Sequence, residues 1–175
     1  MANALLDLVQ NMNRLAALRA TGLLDTPPEE AFDRLARIAC KVVKAPVGLV
    51  SLVDRERQFF KAAVGLPEPW CTRRETPLSH SFCKHVAATR QPLVLSDARL
   101  DQTLRENPAV RDLGIVAYLG IPLVTADGDA LGSFCVIDHK PRDWTYDNVD
   151  ILQDLAACVM REIELRRVAP QRETK

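Results

Sequence analysis

The stretch Ala117-Tyr-Leu-Gly-Ile-Pro-Leu-Val-Thr-Ala-Asp-Gly-Asp-Ala-Leu-Gly-Ser-Phe-Cys-Val-Ile-Asp138 narrows the possible folds more than any other part of the chain. It holds two apolar runs of strand length on either side of Asp127-Gly128, a dipeptide that readily takes the positive φ angles of a tight hairpin turn. The second run closes on an acidic residue, Asp138. An earlier run, Val47-Gly-Leu-Val-Ser-Leu-Val-Asp54, does the same and turns at Arg55-Glu56. A chain with these runs must bury a sheet, and the remaining segments supply what covers it.

Helical spacing supplies that cover at both ends. Over residues 4–20, Leu5, Leu8, Met12 and Leu15 form one stripe, with Arg14 and Arg19 on the polar side and Gly22 as a stop. A second helix is predicted from Pro28, with Glu29-Glu30 suited to its N-terminus and a stripe of Phe32, Leu35, Ile38, Ala39 and Val42. From about Thr145, Val149, Leu152, Leu155, Ala156, Val159, Met160 and Ile163 form a long stripe, and Ile151, Cys158 and Leu165 widen it. Between the ends the sequence predicts strands at 47–54, 58–65 and 91–95. It also predicts an irregular proline-containing loop over 66–77, a helix capped by Ser79 or Ser81 and running to Thr89, and a helical turn at 108–113.

The fold class that follows is α+β. An antiparallel sheet of about five to six strands carries the terminal helices on one face, and a roof of loops and short helices, residues 66–115, covers a pocket on the other. The organisation expected is an N-terminal amphipathic dimerisation helix at 1–24, one domain at 25–168 and a flexible tail at 169–175.

Charge narrows the partners. With 23 basic and 23 acidic residues in 175, nothing favours nucleic acid or an anionic membrane as partner. No apolar run reaches membrane-spanning length, and the N-terminus lacks the basic start and apolar core of a secretory signal. The five cysteines, at 40, 71, 83, 135 and 158, are odd in number and form no Cys-x-x-Cys pair. The expectation is a cytoplasmic protein with reduced thiols, three of them small core residues.

Several blocks in fixed order then carry a family resemblance. They are Arg14-Leu-Ala-Ala-Leu-Arg, Gly22-Leu-Leu-Asp-Thr-Pro-Pro-Glu-Glu-Ala-Phe-Asp33, Pro46-Val-Gly-Leu-Val-Ser-Leu-Val-Asp54, Gln58-Phe-Phe-Lys-Ala, Gly65-Leu66, Ser81-Phe-Cys-Lys-His85, Pro92-Leu-Val-Leu-Ser-Asp-Ala98 and the Gly120-Ile-Pro-Leu and Gly132-Ser-Phe-Cys-Val-Ile-Asp138 pair. Together they resemble a GAF domain, a small-ligand sensing module related to PAS domains, over about residues 14–168. The similarity is to the bacterial subgroup often fused ahead of histidine kinases, diguanylate cyclases and phosphatases. The Asn-Lys…Phe…Asp-Glu signature of cyclic-nucleotide binders is absent, Lys84 separates Cys83 from His85 where bilin binders carry an adjacent Cys-His pair, and the cysteine arrangement of the free methionine sulfoxide reductases is not recognisable. The resemblance therefore implies a sensor whose ligand is unknown, either complete by itself or paired with an effector of the kinase, cyclase or phosphatase kind on another chain.

The candidate pocket residues are Trp70, Ser81, Cys83, His85, Asp97, Tyr118 and Phe134. Cys83 and His85 suggest an activated thiol, but residues two apart on a helix point to different sides, and His85 shares its side with Ser81. His80 and Cys83 are spaced to share an ion, yet a full ligand set is missing, so no metal is expected. Asp97 sits in the roof beside Ser96, whereas Asp54 and Asp138 read as turn formers. Tyr118 and Phe134 belong to the core unless strand alternation turns one of them to the pocket, and Trp70 in its proline-rich loop is a candidate lid.

Three functions remain open at this stage. One is a sensory domain that pairs through its terminal helices as a homodimer and responds to a small molecule. The second is a cysteine-based redox sensor or enzyme using Cys83, with Cys71 or Cys135. The third is a scaffold that pairs without a ligand. No catalytic constellation is recognised in the sequence.

Overall fold

The sheet and its cover are built from α1 (Ala2–Val9), α2 (Met12–Ala20), α3 (Glu30–Val43), β1 (Val47–Val53), β2 (Arg57–Val64), α4 (Trp70–Arg73), β3 (Glu75–Pro77), α5 (Cys83–Thr89), β4 (Leu93–Leu95), α6 (Pro108–Asp112), β5 (Ala117–Val124), β6 (Ala130–Asp138) and α7 (Tyr146–Val168). This computed structural model describes residues 2–168, so the tail expected at 169–175 lies outside the described residues. The strands form one antiparallel sheet in the order β3-β2-β1-β6-β5-β4. The β5–β6 hairpin thus places β6 at the centre, paired to β1 on its other side.

The hairpin turn is longer than Asp127-Gly128 alone suggests. Gly128 takes φ of +90°, but Asp127 is not among the positive-φ residues. A two-residue primed turn of the Asp-Gly kind needs positive φ at both positions. The chain instead closes through Thr125 and Asp129, whose backbone groups bond at 2.9 Å. Gly132 has a separate role, since a Cβ there would stand 1.9 Å from the Ser51 carbonyl oxygen. Any side chain at that position would push β6 away from β1.

Alternation along the strands divides the core into two layers. Val50, Leu52, Leu119, Leu123, Phe134 and Val136 face α3 and α7, meeting Phe32, Ala36 and Ala39 from α3 and Leu152, Ala156, Val159 and Ile163 from α7. Val47, Leu49, Phe60, Tyr118, Cys135 and Ile137 face the roof, where Phe82, Cys83, Val86 and Ala87 of α5 cover them.

The N-terminal segment departs from the single helix the stripe predicts. It breaks at Gln10-Asn11 because the Asn11 side chain accepts the backbone N–H groups of Asn13 and Arg14, capping a new helix, α2. The stripe is split as a result: Leu15 is buried, while Leu8 and Met12 are exposed. Arg14, expected on a polar face, is buried. Its guanidinium donates to Val9 O at 2.7 Å and Ala130 O at 3.1 Å, fixing the corner between α1 and α2 against the β6 end of the hairpin. Helix α1 consequently lies on the roof side, where Val9 and Leu5 join the α5 cluster. The 66–77 segment also carries more structure than its prolines suggest, with α4 and the edge strand β3, in which Pro77 costs no internal ladder bond.

A charged clasp closes the helix side of the sheet. The register between β1 and β2 shifts at Val50/Ser51, leaving Lys61 without a partner across the ladder. Its fully buried ammonium donates to Thr26 Oγ1 at 2.7 Å and Pro27 O at 2.8 Å and pairs with Glu29 at 2.5 Å. Arg166, near the end of α7, donates to the same Glu29 carboxylate through Nε at 2.7 Å and to Glu162 at 2.9 Å. Phe32 carries both cations on its ring, 5.5 Å from Lys61 and 4.7 Å from Arg166.

Candidate functional site

Buried polar groups inside an otherwise apolar layer mark where a fold departs from simple packing. On the roof side they form two adjoining sets, which come together where β1 pairs with β6. Ser51 of β1 and Ser133 of β6 are register partners in the middle of the sheet. The Ser51 hydroxyl donates to Gln58 Oε1 at 3.1 Å, and the Ser81 hydroxyl donates to the same oxygen at 2.8 Å. The Gln58 amide then donates to Thr76 Oγ1 at 2.6 Å. On the other side, Tyr118 Oη is 3.1 Å from Ser133 Oγ and donates to Cys83 Sγ at 3.2 Å, and Cys83 Sγ is 3.9 Å from Cys135 Sγ. Every one of these side chains is buried.

The surroundings set the proton affinities. The hydrogen bond from Cys135 above all, then that from Tyr118, hold the Cys83 thiol below its ordinary value against the opposing effect of burial. Burial, followed by the neighbouring Cys83, pushes Cys135 up, and burial pushes Tyr118 up. Of the two thiols, Cys83 is therefore the easier to ionise.

The sequence-derived candidates separate into five places. Ser81 belongs to the Gln58 set, and Cys83 and Tyr118 bond each other in the adjoining one. Ser81 also caps the first turn of α5, accepting the Lys84 N–H at 3.0 Å, as its position suggested. The space between sheet and roof is closed, because Tyr118 and Phe82 fill it ring against ring, edge-on with centroids 5.4 Å apart. The cavity is one layer further out: about 640 Å³ between α1 and the roof, lined by Leu5, Leu6 and Val9 on one wall and Leu78, Lys84, His85 and Leu104 on the other. Only His85 of the candidates reaches it. Burial, then the adjacent Lys84 charge, lower its pKa to about 4, so it is neutral at pH 7. Burial also lowers Lys84, whose ammonium donates to Leu78 O at 2.9 Å.

Trp70, Asp97 and Phe134 lie elsewhere. Trp70 opens α4 and leans on His80, with ring centroids 5.6 Å apart, at a separate charged cleft of about 590 Å³ that includes Asp54, Arg57, Arg73 and Glu75. It covers that cleft and not the α1 cavity. Asp97 accepts the Arg99 backbone N–H at 3.1 Å and pairs with the Arg99 guanidinium, so its carboxylate is taken up by a turn. Phe134 faces α3 and α7, since alternation in β6 puts it on the opposite side from Cys135. Of the cysteines, Cys83 and Cys135 are buried, two where three core thiols were expected; Cys40 and Cys71 are half-buried and Cys158 is exposed. Sequence reasoning passed over Gln58, Ser51 and Ser133. Their signal was present as single polar residues within apolar runs, but pairing across strands is what joins them. Among the described residues, no group of three metal-ligating side chains comes together and no helix is long and apolar enough to cross a membrane.

Residues 27–163 match the sequence profile of the GAF domain. The chain is 36% identical over 157 residues to a cyclic di-GMP phosphodiesterase of Pseudomonas aeruginosa, an alignment covering 89% of this chain and 26% of that protein. The chain thus spans about a quarter of that curated relative. Among solved structures, it is similar to the GAF domain from a phosphoenolpyruvate-protein phosphotransferase of Coxiella burnetii, with a TM-score of 0.67, 20% identity and coverage of 89% of this chain and 95% of that one. A GAF domain/HD domain protein from Geobacter sulfurreducens gives a TM-score of 0.61, 23% identity and coverage of 84% and 99%. At these identities the solved structures speak for the fold alone.

Proposed function

The chain belongs to the GAF family, and from that premise we propose that it is a cytoplasmic sensory and regulatory domain, not itself an enzyme, that reads a small molecule and passes the result to a signalling effector. The observation that carries this reading is the cavity between α1 and the roof. It has the volume of a small-ligand site, apolar walls and a few polar groups on one side, which is the usual make-up of such sites. One wall is α1, a short helix docked on α5, so a ligand that binds better with α1 in one position shifts that position.

The effector is of the histidine kinase, diguanylate cyclase or phosphatase class; the similarity to part of a phosphodiesterase supports a regulatory role beside such enzymes. The output runs through the terminal helices in a homodimer. Leu8, Met12 and Leu165 are exposed on them, and a groove of about 530 Å³ between α7 and β5, with Met160 and Ile121 in its walls, suits the α7 of a second copy. The clasp of Glu29 with Arg166 ties the same helix back to the connection preceding α3.

Native mass spectrometry of freshly purified protein, set against its denatured mass, tests both parts. The expected result is a dimer carrying extra non-covalent mass, and Leu5→Arg, which puts a charge in the cavity wall, removes that mass and leaves the dimer. A dimer without bound mass, even after exposure to cell extract, overturns the ligand reading. A monomer overturns the pairing.

A further inference from the structure

We propose that Cys83 and Cys135 form a peroxide-sensitive dithiol whose oxidation to a disulfide staples the first turn of α5 to the central strand β6. The sulfurs already stand 3.9 Å apart across 52 residues of sequence, and both residues are buried. Tyr118 Oη donates to the Cys83 sulfur at 3.2 Å and is itself anchored by Ser133. Simple packing asks for none of this. A thiol that only fills space does best among apolar neighbours, and here one accepts a hydrogen bond from a buried phenol.

The two thiols have different roles. The hydrogen bonds that hold Cys83 below its ordinary proton affinity make it the attacking thiolate, and burial keeps the proton on Cys135, the resolving thiol. The oxidant is hydrogen peroxide: Phe82 and Tyr118 close the layer, so a reagent enters only through local opening, which favours one close to water in size. The Cys83 thiolate attacks one peroxide oxygen and the O–O bond breaks. This gives a sulfenic acid on Cys83 and a hydroxide, which takes a proton from solvent and leaves as water. The Cys135 sulfur then attacks the Cys83 sulfur. Its proton goes to the departing hydroxyl, the S–O bond breaks, and a second water leaves. The two thiols have lost two electrons, which the peroxide has gained.

The staple joins the roof to the sheet, where α5 also supports α1. Oxidation therefore stiffens the layer that carries the cavity, and this holds whether or not the cavity takes a ligand.

The test uses the full chain with Cys40→Ser, Cys71→Ser and Cys158→Ser, which leaves only the buried pair. After hydrogen peroxide, the expected product is lighter by two hydrogens, resists alkylation when unfolded, yields a Cys83–Cys135 linked peptide and returns to the starting mass with dithiothreitol. Oxidised glutathione, too large for the site, leaves the mass unchanged. With Cys135→Ala added, the reaction stops at a sulfenic acid on Cys83 that dimedone traps. Two thiols still free to alkylate after peroxide, or oxygen added to either sulfur without a link, would overturn the proposal. So would dimedone capture on Cys135 in place of Cys83 in the matching Cys83→Ala protein.

Discussion

The two faces of the sheet are both buried, yet they are filled differently. Between the sheet and α3 and α7, the middle of the layer is apolar, with Phe32, Phe134, Leu119 and Val159 among its members, and charged groups such as the Lys61–Glu29–Arg166 clasp stand at its edges. Between the sheet and α5, hydroxyls, an amide and two thiols run through the middle of the layer, and a cavity lies beyond it. An apolar layer gains from every contact and offers no ligand a polar handle. A layer threaded with hydrogen bonds gives up some of that gain and holds groups that can respond to protons, oxidants or ligands. The contrast makes the first face the main support of the fold and gathers the groups able to respond on the second.

Substitutions ranked by expected size sharpen this contrast. Phe134→Ala empties the middle of the helix side and is expected to cost about 4 kcal/mol in a denaturant titration, with the thiol chemistry of the roof unchanged in the fraction that remains folded. A loss below about 1 kcal/mol would mean that the helix-side layer is not the main support. Glu29→Gln leaves the buried Lys61 ammonium without its carboxylate and is expected to cost about 2 kcal/mol, less than a fully buried pair because Glu29 is one-third exposed. Tyr118→Phe keeps the ring and removes one hydroxyl, for an expected loss of about 1 kcal/mol.

Acid separates the two faces by pH window. On the roof, His85 in the folded protein has its pKa lowered to about 4 from 6.5. The unfolded chain takes up the proton first, so the contribution of this face is complete above pH 6.5 and is lost as pH falls towards 4. On the helix side, Glu29 is held below the ordinary 4.5: burial, which opposes this, is outweighed by hydrogen bonds from Lys61 and Arg166. Its contribution is complete above 4.5 and is lost only as pH falls through the lowered folded value. Melting curves between pH 7 and pH 5 should therefore show a decline that His85→Gln flattens and Glu29→Gln leaves in place. A decline that persists unchanged in His85→Gln would remove the histidine from the roof account.

Much of the frame was legible from local pattern. The hairpin runs, the strand ending at Asp54 and the stripe of α7 each need only near neighbours to be read. The Asn11 cap was equally local, but a continuous apolar spacing across 4–20 masked it. What the sequence could not reveal depends on partners brought from far away: Lys61 meeting Glu29, Arg14 meeting Ala130, and Cys83 meeting Cys135. The division of Tyr118 and Phe134 between opposite faces follows from strand alternation, but which face is the roof is set only when α5 docks. The cavity was expected beneath the roof and lies above it, because Phe82 and Tyr118 together are large enough to fill the layer between.

Native-state hydrogen exchange tests the division of labour most directly. The account predicts that the amides of α1 and α5 open at markedly lower free energy than those of α3 and the first half of α7, and that peroxide treatment raises protection in α5 while leaving α3 unchanged. Equal protection on both faces, opening in a single cooperative step, would contradict it.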